Sequence, residues 1–525
     1  MLHEISSLFL GDGMSITTIT AGRIMKGQLD GKSGEEVKLA MDQFQFSGLS
    51  KTYSVDQQVS DSACTATAYL CGVKSDYSTL GLNGNVEYGV CSSQKGNEVE
   101  STLVKAYNAG KSTGIVTTRV VHASPAGAYA HSASRSWYGD ADMPAEAKAE
   151  GCKDIAQQLM DSFDMITVAL GGGRQYFRPN TVSDEEYDTR TYARKDGKDL
   201  LQDWETKYGK NAKFVWNQTD FDAIDPVTTE KLLGMFEQSD MKYEALRNTD
   251  KAGEPSLAEM TEKAIRMLQK NSKGYFLFVE GGRIDHGHHA GNAHLALRDL
   301  VAFDDAIKRA VDLTVDSDTL IVVTADHAHT LSMGGYSDRG NPILGLAPSS
   351  NNPYLVEDGK PYTTLLYANG PGFQGSSYIG AHERENLTDV DTESVSYLQQ
   401  SSTPLSSETH GGDDVAILAR GPMAHLFHGV HEQSYIPHAM WYASCIGDDT
   451  SHCSQTAKDV VAMPTATTTF DTAAEFLGIN LTSTDTVVAL YVQFVLVICL
   501  ALFILLLLQG SKRSSSPKSP GVVGN

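Results

Sequence analysis

The sequence predicts an α/β fold, three layers of α/β/α around a central, mostly parallel sheet. Three observations predict it. Short runs that are mostly apolar recur at residues 8–10, 114–118, 165–170, 275–279, 320–324, 363–367 and 415–418. Strands buried on both faces read this way, because neither side alternates with water-facing residues. Helix-like stretches lie between them, at 100–108, 150–162, 256–269 and 290–314, and this alternation predicts helices on both faces of a parallel sheet. Finally, Gly, Asp, Glu or His stands at or near the end of several runs. Ligands of such sheets bind beyond the carboxyl ends of the strands, so the residues after each run are the candidates for chemistry.

The whole chain sets limits on those candidates. It has 525 residues, 41% hydrophobic and 20% charged, which is an ordinary globular composition and excludes wholesale disorder. Asp and Glu number 65 against 42 Lys and Arg, a formal charge of -23. That excess repels nucleic-acid backbones, so no nucleic-acid partner is expected. It also repels phosphate esters in bulk, so an anion site here has to be locally positive, which bound metal ions achieve most simply.

Along the chain, Asp12 follows the first run between Gly11 and Gly13. It reads as a turn aspartate or as a metal-binding carboxylate. Asp61-Ser62-Ala63 opens an alanine-rich helical run, where Ser62 is either a helix N-cap or a nucleophile facing an anion at a helix terminus. No Gly-X-Ser-X-Gly elbow surrounds it, so a nucleophilic Ser62 would need a metal to polarise its oxygen. After the run 114–118, Ser124 in His122-Ala123-Ser124-Pro125 offers oxygen to a hard cation that Glu280 and Asp12 could share. Arg135 suits a bidentate phosphate clamp, and taken alone it is an ordinary surface arginine. The densest signal is Glu280-Gly281-Gly282-Arg283-Ile284-Asp285-His286-Gly287-His288-His289, directly after the run 275–279. Asp285 and His289 are four apart, so one helical turn places them on one face. Carboxylate plus imidazole is a set that zinc accepts. Asp326-His327 after the run 320–324, and His410 before 415–418, supply enough further ligands for two zinc sites.

Residues 332–404 are rich in Gly, Pro, Ser and Asn and read as a surface excursion or small subdomain. Residues 487–508 are apolar except for Gln493 and long enough to span a bilayer, with Lys512, Arg513 and Lys518 after them. Basic residues past a span place the main domain outside the cell. A lipid-anchor signal, with small residues near Ser483, is the rival reading. The division expected is 1–485 for catalysis, with 332–404 inserted in it, 487–508 for membrane attachment and 509–525 as a basic tail. Asn217, Asn386 and Asn480 carry the N-glycosylation pattern. Of seven cysteines, Cys445 and Cys453 flank a short loop, and Cys91 and Cys152 could close a longer one. Two disulfides suit an extracellular domain, but connectivity is not readable from spacing.

With these motifs assembled, the sequence resembles the alkaline phosphatases, especially the animal, membrane-attached type. The matching strings include Phe9 to Met14, Asp61-Ser62-Ala63 with Thr65 to Ala68, His122 to Gly127, Glu280 to His289, Thr324 to His327, and Glu408-Thr409-His410. The resemblance implies hydrolysis of phosphate monoesters through a phosphoserine at Ser62, with Arg135 as the phosphate clamp. It implies a first zinc held by Asp285, His289 and His410, a second held by Asp12, Asp326 and His327, and a magnesium held by Asp12, Ser124 and Glu280. His122 and His286 would stand just behind the metals. A calcium ion is implied at Glu186, the Phe236 carbonyl, Glu237 and Glu254, the last being Glu where the family often has Asp. It further implies Cys91–Cys152 and Cys445–Cys453 disulfides, a crown-like subdomain at 332–404 and a homodimer. The family's helix ahead of the first strand, which reaches the partner subunit, has no counterpart in this sequence, so the dimer is expected without that contact. Cys64, usually Gly or Ala, and Ser15, often Gly, depart from the pattern beside Ser62 and Asp12. The rival functions are a phosphodiesterase or sulfatase of related chemistry, and a non-catalytic, membrane-tethered metal-binding module.

Overall fold

A computed structural model describes residues 5–347, 358–373 and 384–454. Ten strands form the central sheet. In spatial order they are Gly429–Glu432, Phe46–Lys51, Val415–Arg420, Thr319–Ala325, Ile5–Gly11, Tyr275–Gly281, Ser112–Val116, Val168–Gly171, Lys231–Met235 and Ala212–Val215. Only Val415–Arg420 runs against its neighbours, so the sheet is mostly parallel.

The all-apolar runs work as the sequence predicts, because their alternate side chains enter two cores. Leu8, Leu10, Phe276 and Phe278 face one apolar cluster, and Phe9, Leu277 and Val279 face the other. The helices Ser62–Cys71, Thr102–Asn108, Ile155–Ser162 and Tyr435–Ala443 pack into the first cluster. Ile16–Leu29, Leu257–Leu268 and Ala293–Leu313 pack into the second. Each large side chain so buried contributes about 1.5–3 kcal/mol. The result is the three-layer α/β/α arrangement.

One run behaves differently. Residues 363–367 do not join the central sheet. They split between Tyr362–Thr363 and Leu365–Gly370, which belong to two small separate sheets. Leu365–Gly370 pairs with Leu331–Met333 and Ser401–Pro404. A third short ladder is the one that matters for chemistry. His410–Gly411 pairs antiparallel with Ala328–His329, setting His410 opposite His329.

Both expected disulfides are formed, Cys91–Cys152 and Cys445–Cys453. Asn386 is exposed and Asn217 half-buried, each capping a short helix. Asn480, residues 487–508 and the basic tail lie outside the described residues. Among the described residues no helix is long and apolar enough to cross a membrane.

Candidate metal centre

Adjacent strand ends bring the candidate residues together. Ile5–Gly11 lies between Tyr275–Gly281 and Thr319–Ala325, with Gly11 level with Gly281 and Ala325. Asp12, Glu280 and Asp326 therefore leave the sheet side by side, and each is at most 1% exposed. Gly13 makes the first turn possible. Its φ is +69°, and a Cβ there would come within 2.5 Å of the His329 ring. Its N–H donates to Asp326 Oδ1 at 2.9 Å.

Ser62 sits at the start of the helix Ser62–Cys71, but it is not the cap. Asp61 is the N-cap, accepting from the backbone of Ala63 and Cys64, so the capping reading of Ser62 is replaced. The Ser62 hydroxyl is left for other work, 3.2 Å from His327 Nε2. Arg135 reaches the same place, its Nη1 2.6 Å from Asp61 Oδ2 and its Nη2 3.3 Å from His122 Nε2. Burial opposes the Arg135 charge, but the Asp61 carboxylate more than offsets it.

Three histidines show why this pocket suits cations. Nδ1 of His289 faces the Glu408 carbonyl at 2.6 Å, Nδ1 of His410 faces the Ser60 carbonyl at 2.7 Å, and Nδ1 of His327 faces the Ala328 carbonyl at 3.2 Å. Carbonyls only accept, so each neutral ring carries its proton on Nδ1 and a lone pair on Nε2. Yet Nε2 of His289 and His410 are 3.0 Å apart, with Asp285 Oδ1 3.4 and 3.5 Å away. His327 Nε2 likewise faces Asp326 Oδ2 at 3.1 Å and Asp12 Oδ1 at 3.6 Å. Converging lone pairs repel unless a cation lies between them.

The carboxylates carry the same signature. Asp12 Oδ1, Asp326 Oδ2 and Glu280 Oε1 are buried with no hydrogen-bond partner, an arrangement that costs several kcal/mol without a counter-charge. Burial, then the charges of Asp326, Asp285 and Glu280, push Asp12 well up. Burial pushes Glu280 up to about 7, with Asp326 adding to it. Ser124 donates to Asp12 Oδ2 at 3.2 Å, and Thr117 hydrogen-bonds Glu280. Ligand atoms of Asp12, Asp326 and His327 lie within 4.8 Å of one another, as do those of Asp12, His122 and Glu280, and of Asp285, His327, His329 and His410. These clusters form a multi-metal site. His122 and His286 pack edge to face beside these clusters, and burial lowers both, His286 to about 4, which favours neutral rings.

Neither His329 nor Glu408 has a role assigned from the sequence. Here His329 bridges two buried acids, Nε2 to Asp285 Oδ1 at 2.8 Å and Nδ1 to Glu408 Oε2 at 2.5 Å. Burial opposes its charge, but these two carboxylates raise it to about 10. His288 turns away from the site and bonds Thr18 and Tyr367.

The two departures near the site are accommodated. Ser15 caps the helix Ile16–Leu29. Cys64 donates to the Asp61 carbonyl, and burial, then Asp61, keeps it a thiol.

A second acidic region lies at a strand end farther along the sheet. Phe236 and Glu237 follow Lys231–Met235, and Glu237 stands close enough to Glu186 and Glu254 to raise both. Burial is the larger cause for each, pushing Glu186 up to about 7 and Glu254 up to about 8.

The family model for alkaline phosphatase matches residues 7–446. The chain belongs to the alkaline phosphatase family. It is 53% identical over 468 residues to the tissue-nonspecific isozyme of alkaline phosphatase from Gallus gallus, covering 88% of this chain and 87% of that one. Against the Homo sapiens tissue-nonspecific isozyme it is 52% identical over 454 residues, covering 85% and 84%. Against the Gadus morhua alkaline phosphatase it is 52% identical over 447 residues, covering 84% and 92%. Two solved bacterial alkaline phosphatases share the fold. The Thermus thermophilus enzyme has a TM-score of 0.59 at 22% identity, covering 85% of this chain and 92% of its own. The Shewanella sp. enzyme has 0.58 at 24%, covering 85% and 100%. This alkaline phosphatase is an enzyme that hydrolyses phosphate monoesters with a multi-metal site.

Proposed function

We propose that this alkaline phosphatase works through a phosphoserine at Ser62, with two zinc ions and one magnesium. The observation that carries the reading is the convergence of proton-free imidazole nitrogens and partnerless carboxylate oxygens around the Ser62 hydroxyl. Asp285, His289 and His410 would hold the first zinc, and Asp12, Asp326 and His327 the second. Asp12, Ser124 and Glu280, an all-oxygen set, suit magnesium. When bound, the zinc ions lower the pKa of the attacking hydroxyl and of water and neutralise the leaving oxygen.

The chain's own residues do the rest. Arg135 presents two N–H groups to the phosphoryl oxygens in place of its present contact with His122. Ser62 Oγ attacks phosphorus in line, a new O–P bond forms, the ester P–O bond breaks, and the alcohol leaves with a proton. Water then cleaves the phosphoserine from the opposite side and returns the proton to Ser62. The helix N-terminus beneath Ser62 favours the anionic group in both steps. Neutral His122 and His286 leave the positive charge to Arg135 and the metals. The residues assigned here would meet only the phosphoryl group, so a broad range of phosphate monoesters is expected.

The proposal extends to calcium at Glu186, Phe236, Glu237 and Glu254, to a homodimer, and to an extracellular catalytic domain held at the cell membrane by residues 487–508, as span or lipid anchor. Glycosylation at Asn217, Asn386 and Asn480 belongs to the same reading. The test is elemental analysis of wild type and Ser62→Ala together with aryl phosphate turnover. Wild type should carry two zinc and one magnesium per chain. The variant should retain most of that metal and lose turnover by orders of magnitude. Unchanged turnover would remove Ser62 from the mechanism.

A further inference from the structure

The acidic region beyond Lys231–Met235 contains a carboxylate, Asp250, that the calcium reading does not assign. Asp250 follows the short helix Glu244–Thr249. Both of its carboxylate oxygens are buried and without a hydrogen-bond partner. Glu254, 2% exposed, has Oε1 tied to the Lys242 backbone N–H at 2.8 Å, while its Oε2 is also buried and partnerless. Orphaned oxygens on two separate acids of one loop point to a missing positive partner.

The local cations are mostly committed, although Nη1 of Arg174 is itself buried without a hydrogen-bond partner. Arg174 holds both oxygens of Asp184, at 2.7 and 2.8 Å, and Glu186 Oε2 at 2.7 Å. Lys242 pairs with Glu237. Arg247 lies close by but turns its Nε onto Glu244 at 2.9 Å and its Nη1 onto the Glu254 carbonyl at 3.3 Å. Asp184, Glu186, Glu237, Asp250 and Glu254 thus share two cations, Arg174 and Lys242. Asp250 also adds its charge to those that raise Glu186 and Glu254, so it stands near both. Buried carboxylates gathered in one region call for a shared proton or a shared cation.

We propose that Asp250 is a direct ligand of the cation held by Glu186, Glu237 and Glu254, so that four carboxylates close the site. This rests on the calcium reading above and adds to it a residue that the family resemblance does not supply. Four carboxylates beside a buried strand end form an all-oxygen, highly charged set. Such a set favours calcium and lanthanides over the smaller, more tightly hydrated magnesium, and ligand charge is what tunes calcium affinity.

The experiment is calorimetric titration of calcium into the zinc- and magnesium-loaded enzyme after dialysis against calcium-free buffer, with thermal unfolding recorded in parallel. Wild type, Asp250→Asn, Asp250→Ala and Glu237→Gln are compared. Wild type is expected to take up one calcium per chain and unfold at higher temperature with it. Both Asp250 variants should bind calcium roughly ten-fold or more weakly. In calcium-free buffer they should unfold no earlier than wild type, because a repelling charge has gone. Calcium binding by wild type and Asp250→Asn with equal affinity would overturn the role of Asp250 and leave the calcium reading standing. Earlier unfolding of both Asp250 variants without calcium, at unchanged affinity, would assign the residue a structural role instead. No uptake by wild type would overturn the calcium reading and this inference together. Glu237→Gln should abolish uptake, which ties the measured heat to this site.

Discussion

The guanidinium of Arg135 is held 2.6 Å from the carboxylate of Asp61, the residue immediately before Ser62. The proposed clamp and the proposed nucleophile are therefore fixed to the same helix N-terminus. Charged hydrogen bonds of this kind are worth about 1.5–3 kcal/mol. Arg135→Ala should raise KM for a simple aryl phosphate roughly 10–100-fold, measured by steady-state kinetics. Arg135→Lys should restore only part of that, since lysine lacks the two-pronged geometry. Asp61→Asn should raise KM less than Arg135→Ala, because the guanidinium remains but loses its tether. An unchanged KM in Arg135→Ala would contradict the clamp.

The bridge from Asp285 through His329 to Glu408 orients a proposed zinc ligand from behind. Removing such a partner typically weakens metal binding about 10–100-fold. His329→Ala should lose zinc from the Asp285, His289 and His410 set at chelator concentrations that wild type withstands, as read by elemental analysis. Equal zinc retention would show that the bridge does not support the metal.

Asp299 gives a pH signature away from the metals. It is 8% exposed, accepts from the Glu244 N–H, and burial pushes it up to about 8. In the unfolded chain its pKa returns to about 3.9. Between those values the folded state keeps a proton that the unfolded state has lost, so stability falls as pH rises from about 4 to about 8 and then levels off. Asp299→Asn should flatten that slope in urea-unfolding midpoints measured from pH 5 to 8. A variant slope equal to wild type would rule out Asp299 as its source.

The Cys91–Cys152 bridge spans a sequence separation of 61 and packs beside Trp137 and Met143. Loop-closure entropy for that length gives about 4 kcal/mol. The double Cys→Ser variant should unfold correspondingly earlier by calorimetry. No loss of stability would mean that the loop is as confined without the bond.

Much of the site was legible because the fold places chemistry at the ends of apolar runs. Asp12, Glu280 and Asp326 each stand within two residues of the end of such a run, and the strands concerned are neighbours. Other elements gave weaker signals. Phe46–Lys51 and Gly429–Glu432 are largely half-buried or exposed and carry polar residues, so their period is blurred. The helix Ile16–Leu29 was missed because small and polar residues, Thr18, Ala21, Gly22 and Gly27, share its buried face with Ile19, Ile24 and Met25 and blur the apolar period. A Cβ at Gly22 would come within 1.7 Å of Leu300. His329 did leave a trace, since it is two residues beyond His327 in extended chain and can share its face. Glu408 left only its place beside His410, because its partners His329 and Thr330 come from a distant segment, and Asp250 left none.

The central claim is a covalent phosphate on Ser62, and acid-quenched trapping tests it most directly. Enzyme mixed with an excess of phosphate monoester at acidic pH, quenched and digested, should yield a peptide carrying one phosphoryl group at Ser62 by mass spectrometry. The Ser62→Ala enzyme should yield none. A wild-type enzyme that turns over substrate while Ser62 is never labelled, or a label on another residue, would contradict the account.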